Sequence, residues 1–180
     1  MLFRSISHLE GFTQRENVQY FEDFLLLEPE GETFVDVGAY DGYTSQDFIA
    51  RCPRYRAVYA FEPNRTNFQK CMTALGAFPN VRCYPIGLFR SKTTLRFDSQ
   101  ASSSKVSDTG TDSIEVDRLD DVLNDTPTFI KMDTEGGESA AIEGGCKTIA
   151  TTHPKMAISV YHRPGDFWRI PEQILAIRGD

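Results

Sequence analysis

The 180-residue chain has no long apolar run, no excess of basic residues and no paired cysteine motif. No apolar stretch approaches the roughly 20 residues that a membrane-spanning helix needs, and the N-terminus lacks the continuous apolar core of a secretory signal. The net charge of −7 argues against nucleic-acid binding, because neutralising phosphates requires a positive field. We therefore expect a cytoplasmic protein that binds neither membranes nor nucleic acids.

The four cysteines are too scattered to define a metal site or a disulfide framework. They are Cys52, Cys71, Cys83 and Cys146. With 40% hydrophobic and 25% charged residues, the composition is that of a globular protein. The length suffices for one domain with a hydrophobic core.

Short apolar or β-branched runs alternate with helical segments along most of the chain. Strands are predicted at residues 33–37, 57–61, 81–86, 128–132 and 156–161, and helices at 44–50, 65–75, 119–123, 138–149 and 171–177. This alternation is typical of a Rossmann-like, doubly wound and mostly parallel α/β sheet. Alternating residues at 93–97 and 112–116 predict short strands of an edge hairpin or of an insertion.

The chain divides into an N-terminal segment, residues 1–30, and a main domain, residues 31–180. Apolar residues at helical spacing predict a helix from Glu16 to Leu27. Ser99 to Gly110 is rich in small polar residues and is predicted to be a mobile loop. Pro171 is expected in the first turn of the last helix, where its missing N–H is tolerated.

A glycine turn follows the first predicted strand. Gly38 permits a sharp turn there, and Gly42 permits a close approach to a ligand. In such sheets, ligands bind outside the carboxyl ends of the strands. Glu62 ends the second predicted strand, where its carboxylate can accept both hydroxyl hydrogens of a ribose.

The turn departs from the dinucleotide-binding sequence G-x-G-x-x-G. Tyr40 and Tyr43 occupy the second and third glycine positions, and their bulk should obstruct a pyrophosphate. S-adenosylmethionine carries no phosphate, and its amino group suits an acidic side chain such as Asp36. These residues favour S-adenosylmethionine as the cofactor, with an NAD-dependent oxidoreductase as an alternative.

Five segments together resemble the FkbM-type methyltransferases. They are FVDVGAYDGYTS (34–45), YAFEPN (59–64), NVRCYPIGLF (80–89), VDRLDDVL (116–123) and FIKMDTEGGESAAIEGG (129–145). The last is the most specific, because it is similar to the family's I-K-x-D-x-E-G-x-E signature after strand four. The resemblance extends from about residue 20 to the end of the chain.

The resemblance implies a class I methyltransferase fold and O-methylation of a hydroxyl on a sugar or small metabolite. It also implies a donor pocket, with Asp133 close to the transferred methyl group. The residues expected at this pocket are Asp36, Gly38, Ala39, Tyr40, Asp41, Gly42, Glu62, Pro63, Asn64 and Asp133.

Three residues are candidates for the chemical step. Asp133 is the first choice for the base that removes a proton from the acceptor or orients it, with Glu135 second. His162 is an alternative base, because its intrinsic pKa is near neutral. We predict no metal, although these three side chains offer a set of ligands for a divalent cation as an alternative. Lys131 shares a strand face with Asp133 and is expected to pair with it.

Folds of this class normally close with a sixth and a seventh strand, and this sequence stops at Asp180 after the last predicted helix. We therefore expect the C-terminal hairpin to be missing, with a homodimer through the exposed sheet edge as one way to cover it. A non-catalytic module that only binds the methyl donor is the second alternative function.

Overall fold

The structure is a computed structural model and describes residues 19–97 and 112–179. The strands are β1 (Thr33–Val37), β2 (Ala57–Phe61), β3 (Val81–Tyr84), β4 (Gly87–Leu88), β5 (Thr93–Phe97), β6 (Asp112–Asp117), β7 (Phe129–Met132) and β8 (Lys155–Ile158). The helices are α1 (Tyr43–Arg51), α2 (Arg65–Leu75), α3 (Leu119–Val122), α4 (Glu138–Gly144), α5 (Cys146–Thr152) and α6 (Asp166–Arg178).

Five parallel strands form the central sheet in the order β3-β2-β1-β7-β8. The chain runs outward from β1 to β3 and then returns to place β7 on the other side of β1. The strand order therefore reverses between β1 and β7, which confirms the predicted Rossmann-like, doubly wound fold. A crevice at such a reversal is the usual ligand site of this architecture.

The short strands predicted at 93–97 and 112–116 are confirmed, and they form an insertion with its own sheet rather than an edge of the central sheet. Strands β5 and β6 pair antiparallel, with Leu95 opposite Ile114, and β4 pairs with β6 in a separate three-stranded sheet. The predicted loop from Ser99 to Gly110 lies outside the described residues.

The core lies on both faces of the central sheet. Every residue of β1 is buried, which explains why this strand is nearly continuous in apolar residues. On one face the Phe34 ring stacks on two others, with its centroid 4.4 Å from that of Phe48 and 5.0 Å from that of Phe129. On the other face Val35 and Val37 pack into a cluster of aliphatic side chains.

The predicted helix from Glu16 to Leu27 is wrong for its described part. Residues 19–27 contain only a 3-10 turn at Asp23–Leu25. Phe21 is buried in the core, with its ring centroid 5.9 Å from that of Phe129. Tertiary packing of this aromatic side chain therefore overrides the local helical spacing.

Two further predictions about helices need correction. The predicted helix at 138–149 is divided into α4 and α5 at Gly145. Helix α6 begins at Asp166, so that Pro171 lies inside it rather than in its first turn. The Asp166 carboxylate accepts a hydrogen bond of 3.1 Å from the Arg163 N–H, which stabilises this earlier start.

Within the described residues, β8 is the edge strand of the central sheet next to β7. Within residues 19–97 and 112–179, no helix combines the length and the apolar character needed to cross a bilayer.

Candidate active site

The glycine turn after β1 is tied to the strands on both sides. The N–H groups of Gly38 and Ala39 both donate to the Phe61 carbonyl at 3.0 Å. The Asp133 N–H donates to the Val37 carbonyl, also at 3.0 Å. Because the strands are parallel, the residues that follow β1, β2 and β7 meet at one edge of the sheet.

Gly38 is required by the close approach of this turn to β7. Its φ of +78° lies in the left-handed region, and a Cβ atom there would lie 1.9 Å from the Asp133 carbonyl oxygen. No side chain can be placed at that distance. The prediction that Gly38 permits a sharp turn agrees with this geometry.

Glu62 lies beside the glycine turn and is 6% exposed. One carboxylate oxygen accepts from the Tyr40 N–H at 2.9 Å, and the other accepts from the Asn64 N–H at 2.8 Å. Burial raises the pKa of this carboxyl, while the two backbone hydrogen bonds oppose the rise. Each oxygen keeps a free lone pair, so the side chain can still accept hydroxyl hydrogens.

The other predicted donor-pocket residues surround Glu62. The Tyr40 side chain is 56% exposed, and its φ is +52°. Asp41 accepts a hydrogen bond from the Tyr43 N–H at 3.1 Å. The Asn64 side chain caps α2 by accepting from the next helical N–H groups, so it orders the loop after β2.

Asp36 does not face the crevice as expected. Its side chain is 0% exposed, accepts from the Ser45 hydroxyl at 2.8 Å and lies 3.0 Å from the Lys131 ammonium. In this arrangement Asp36 supports the glycine turn from beneath, and its contact with the amino group of a donor stays a prediction.

The predicted pairing of Lys131 with Asp133 is wrong. Its ammonium lies beside Asp36 and donates to the Gly38 carbonyl at 2.7 Å. Residues two apart share a face of a regular strand, which is why Lys131 and Asp133 were expected to pair. However, β7 ends at Met132, so Asp133 lies beyond the strand and does not follow this alternation. Lys131 thus holds the glycine turn from below.

The Asp133 carboxylate is 22% exposed and lies among several polar groups. The Tyr20 hydroxyl donates to Oδ2 at 2.5 Å, and the Tyr161 hydroxyl lies 3.4 Å from the same atom. Burial raises the pKa of Tyr20, and the hydrogen bond to Asp133 raises it further. Tyr20 therefore stays protonated near neutral pH and leaves Oδ1 available to another group.

His162 joins Asp133 to two glutamates. Its Nε2 atom lies 3.4 Å from Asp133 Oδ1 and 3.6 Å from Glu135 Oε2, whereas its Nδ1 atom lies 3.0 Å from Glu138 Oε1. Glu138 is 0% exposed, and it accepts from the Thr134 N–H at 2.8 Å. The three predicted catalytic residues, Asp133, Glu135 and His162, are therefore brought together.

Sequence reasoning missed three residues of this site. Tyr20 has no sequence signal, because it meets Asp133 across 113 positions of the chain. Ser45 lies within the quoted segment 34–45, but its partner Asp36 is revealed only by the turn of the chain. Glu138 begins α4, and its contact with His162 depends on how β7 and β8 pair.

Fold and site together define a class: a doubly wound parallel α/β sheet with a glycine turn after β1 and a buried carboxylate, Glu62, after β2. The sequence profile described as the methyltransferase FkbM domain matches residues 36–178. The chain belongs to this family. No curated protein sequence matches it.

Solved structures agree with this assignment. The methyltransferase FkbM from Methylobacillus flagellatus KT is 30% identical with a TM-score of 0.76, and the match covers 91% of this chain but 42% of that protein. The chain thus spans about two fifths of that protein's length.

More distant structures share the fold alone. A precorrin-6y C5,15-methyltransferase from Geobacter metallireducens GS-15 is 15% identical with a TM-score of 0.56, covering 94% of this chain and 74% of that one. An rRNA methylase from Streptococcus thermophilus is 16% identical with a TM-score of 0.51, covering 85% and 75%.

Proposed function

We propose that this chain binds S-adenosylmethionine and transfers its methyl group to a hydroxyl of a sugar or small metabolite. The observation that carries the proposal is the pair of carboxylates on either side of the glycine turn. Glu62 is nearly buried and fixed by two N–H groups, whereas Asp133 stays accessible. We assign Glu62 to binding the hydroxyls of a neutral diol and Asp133 to acting on the reacting group.

The proposed donor lies across the turn between β1 and β2. Its ribose hydroxyls donate to Glu62, whose orientation is fixed by the Tyr40 and Asn64 N–H groups. The exposed rings of Tyr40 and Tyr43 flank the turn where a pyrophosphate would have to approach, which favours this donor over NAD. The sulfonium then faces the end of β7.

The reaction is an in-line displacement. The acceptor oxygen forms a bond to the methyl carbon while the carbon–sulfur bond breaks, and the electron pair of that bond stays on the sulfur of S-adenosylhomocysteine. The acceptor's hydroxyl proton passes to Asp133, within reach of its Oδ1 atom. The donor supplies the reactivity, so that alignment is the main task of the protein and can contribute roughly 7–11 kcal/mol.

Tyr20 adds to this arrangement. Its hydroxyl holds Oδ2 of Asp133 at 2.5 Å, and the Lys131 ammonium lies 5.2 Å from its ring centroid. The carboxylate is thereby held through Oδ2, and its Oδ1 atom lies 3.4 Å from His162 Nε2.

Exposed aromatic side chains follow β8, and the hydroxyl of one of them, Tyr161, lies 3.4 Å from Asp133 Oδ2, which supports a ring-shaped acceptor. Tyr161 is 67% exposed, Phe167 is 73% exposed and Trp168 is 60% exposed. Aromatic faces of this kind pack against the apolar face of a sugar ring while their polar atoms stay in water.

Calorimetry with S-adenosylhomocysteine tests donor binding. We expect one site per chain in the wild type and at least tenfold weaker binding in Glu62→Ala. Folding is checked by circular dichroism. Absence of binding to a folded wild type, or equal binding by Glu62→Ala, would contradict the proposal.

A second variant separates catalysis from donor binding. Asp133→Asn removes the base and keeps the size of the side chain, so donor affinity should change less than threefold while S-adenosylhomocysteine release with sugar acceptors falls by about 10²–10⁴-fold. If turnover is unaffected, Asp133 is not the base. If the wild type binds the donor and methylates none of the sugars or small alcohols, the non-catalytic module is favoured.

A further inference from the structure

Three carboxylates that follow β7 lie around one imidazole that follows β8. Asp133, Glu138 and His162 each place a possible ligand atom within 4.8 Å of the other two. Glu135 adds a third carboxylate, with Oε2 3.6 Å from His162 Nε2. The arrangement lies beside the crevice that the proposed function assigns to the donor and acceptor.

The imidazole is buried without a proper hydrogen bond. The His162 side chain is 9% exposed, and neither of its ring nitrogens makes a hydrogen bond of acceptable geometry within residues 19–97 and 112–179. Oε2 of the fully buried Glu138 also lacks a partner there. A buried polar group without a partner costs about 1–3 kcal/mol, so the unpartnered Nε2 atom of His162 points to a ligand on its side of the ring.

The distances match those between two ligands of one metal ion. Metal–ligand bonds of about 2.1 Å place neighbouring ligands about 3.0–3.4 Å apart in octahedral or tetrahedral geometry. His162 Nε2 lies 3.4 Å from Asp133 Oδ1 and 3.6 Å from Glu135 Oε2. The Glu135 side chain is 84% exposed, so its rotation is open and could complete the set.

The two ring nitrogens have different surroundings. On the Nδ1 side, Glu138 is fully buried and its Oε1 atom already accepts from the Thr134 N–H. On the Nε2 side, the Asp133 and Glu135 side chains are 22% and 84% exposed, so that an ion can enter with its remaining waters. A metal-bound histidine commonly directs its other nitrogen to a carboxylate, which fixes the ring.

We infer that His162 Nε2, Asp133 and Glu135 bind a divalent transition metal ion, and that Glu138 positions the imidazole through Nδ1. Imidazole is a ligand that suits Zn, Cu, Fe and Ni ions, and carboxylates suit Mn²⁺, so this set of one imidazole and two carboxylates fits a divalent first-row ion. Mn²⁺ is the probe of choice because it is paramagnetic.

Metal binding stands independently of the proposed methyl transfer, whereas a role for the ion in that reaction rests on it. A bound cation lowers the pKa of a coordinated hydroxyl. It would therefore help a coordinated acceptor hydroxyl to lose its proton, with Asp133 Oδ1 then holding the ion instead of taking the proton directly.

The test is Mn²⁺ binding to the purified chain, measured by calorimetry and by the electron spin resonance of bound Mn²⁺. One ion per chain is expected, with electron spin echo modulation from one imidazole nitrogen. His162→Ala should lower the affinity at least 100-fold, and Glu138→Gln by about 10–100-fold. Glu135→Gln should lower it about tenfold, and its exposed position makes it safe for folding.

His153→Ala is the matched control, because His153 is an exposed histidine at the end of α5. The Mn²⁺ affinity of this variant should equal that of the wild type. The inference is overturned if folded wild type binds no Mn²⁺, if nitrogen modulation is missing, or if neither His162→Ala nor Glu135→Gln weakens binding. S-adenosylhomocysteine titrations of the same samples distinguish the two proposals. Donor binding without Mn²⁺ binding removes only this inference, and the reverse removes only the proposed function.

Discussion

Replacement of Lys131 by methionine tests the buried ion pair beneath the glycine turn. The Lys131 and Asp36 side chains are 3% and 0% exposed, and their charged atoms lie 3.0 Å apart. Lys131→Met keeps most of the side-chain volume but removes the positive charge. The variant also removes the donor that binds the Gly38 carbonyl.

The expected loss of stability follows from burial and distance. Unit charges at this separation attract by about 5–6 kcal/mol at an effective dielectric constant of about 20. Measured losses on breaking a buried pair are about 3–5 kcal/mol, because one charge stays buried without its partner. For a chain of this size, each kcal/mol lowers Tm by about 2–4 °C, so a decrease of about 6–20 °C is expected.

Lys92→Met is the matched control. Lys92 lies 3.1 Å from Asp117, nearly the same distance, but its side chain is 81% exposed. Asp117 is 11% exposed, but its other oxygen accepts from the Arg118 N–H and Lys92 stays in water, so this pair is expected to contribute about 0–1 kcal/mol. The double variant Asp36→Asn/Lys131→Met leaves no uncompensated charge and should be more stable than Lys131→Met alone.

Urea unfolding followed by circular dichroism, together with thermal unfolding, measures these differences. The reasoning is refuted if Lys131→Met loses less than about 1 kcal/mol, or no more than Lys92→Met does. It is also refuted if the double variant is less stable than the single one.

Three further predictions concern the crevice and the opposite edge of the sheet. Burial raises the pKa of Glu62, so S-adenosylhomocysteine affinity should fall as pH is lowered through a value above 4.5. Calorimetry from pH 7.5 to 5 should show this decline in the wild type and a flat, weak response in Glu62→Gln. Gly38→Ala places a methyl group 1.9 Å from the Asp133 carbonyl oxygen and should abolish donor binding or folding; unchanged Tm and affinity would contradict the required close approach. Although burial alone would raise the pKa of Glu32, hydrogen bonds from Lys155, Thr128 and the Glu28 N–H lower it. Its stabilising contribution is therefore present above pH 4.5 and lost as pH falls through the lowered pKa. Glu32→Gln should cost about 1–3 kcal/mol at pH 7 and clearly less near pH 3 in urea unfolding; an equal cost at both values would contradict the assignment.

The sequence alone was sufficient for the five strands of the central sheet and for most of the helices between them, and it indicated the ends of the strands at which the candidate site lies. A continuous apolar run such as residues 57–61 is typical of a buried parallel strand, and β2 lies there. Gly38, Glu62 and Asp133 each follow directly after a strand. Parallel pairing places the carboxyl ends of these strands side by side, independently of how the side chains pair. Positions set by local pattern and sheet topology are therefore readable from the sequence.

Only the tertiary structure decided which polar groups pair. Lys131 pairs with Asp36 rather than Asp133, Tyr20 reaches Asp133 from the N-terminal segment, and His162 contacts Glu138. Residues 19–27 follow the burial of Phe21 instead of their helical spacing. These contacts join residues far apart in the chain, and their geometry depends on the packing of whole elements, which no local periodicity encodes.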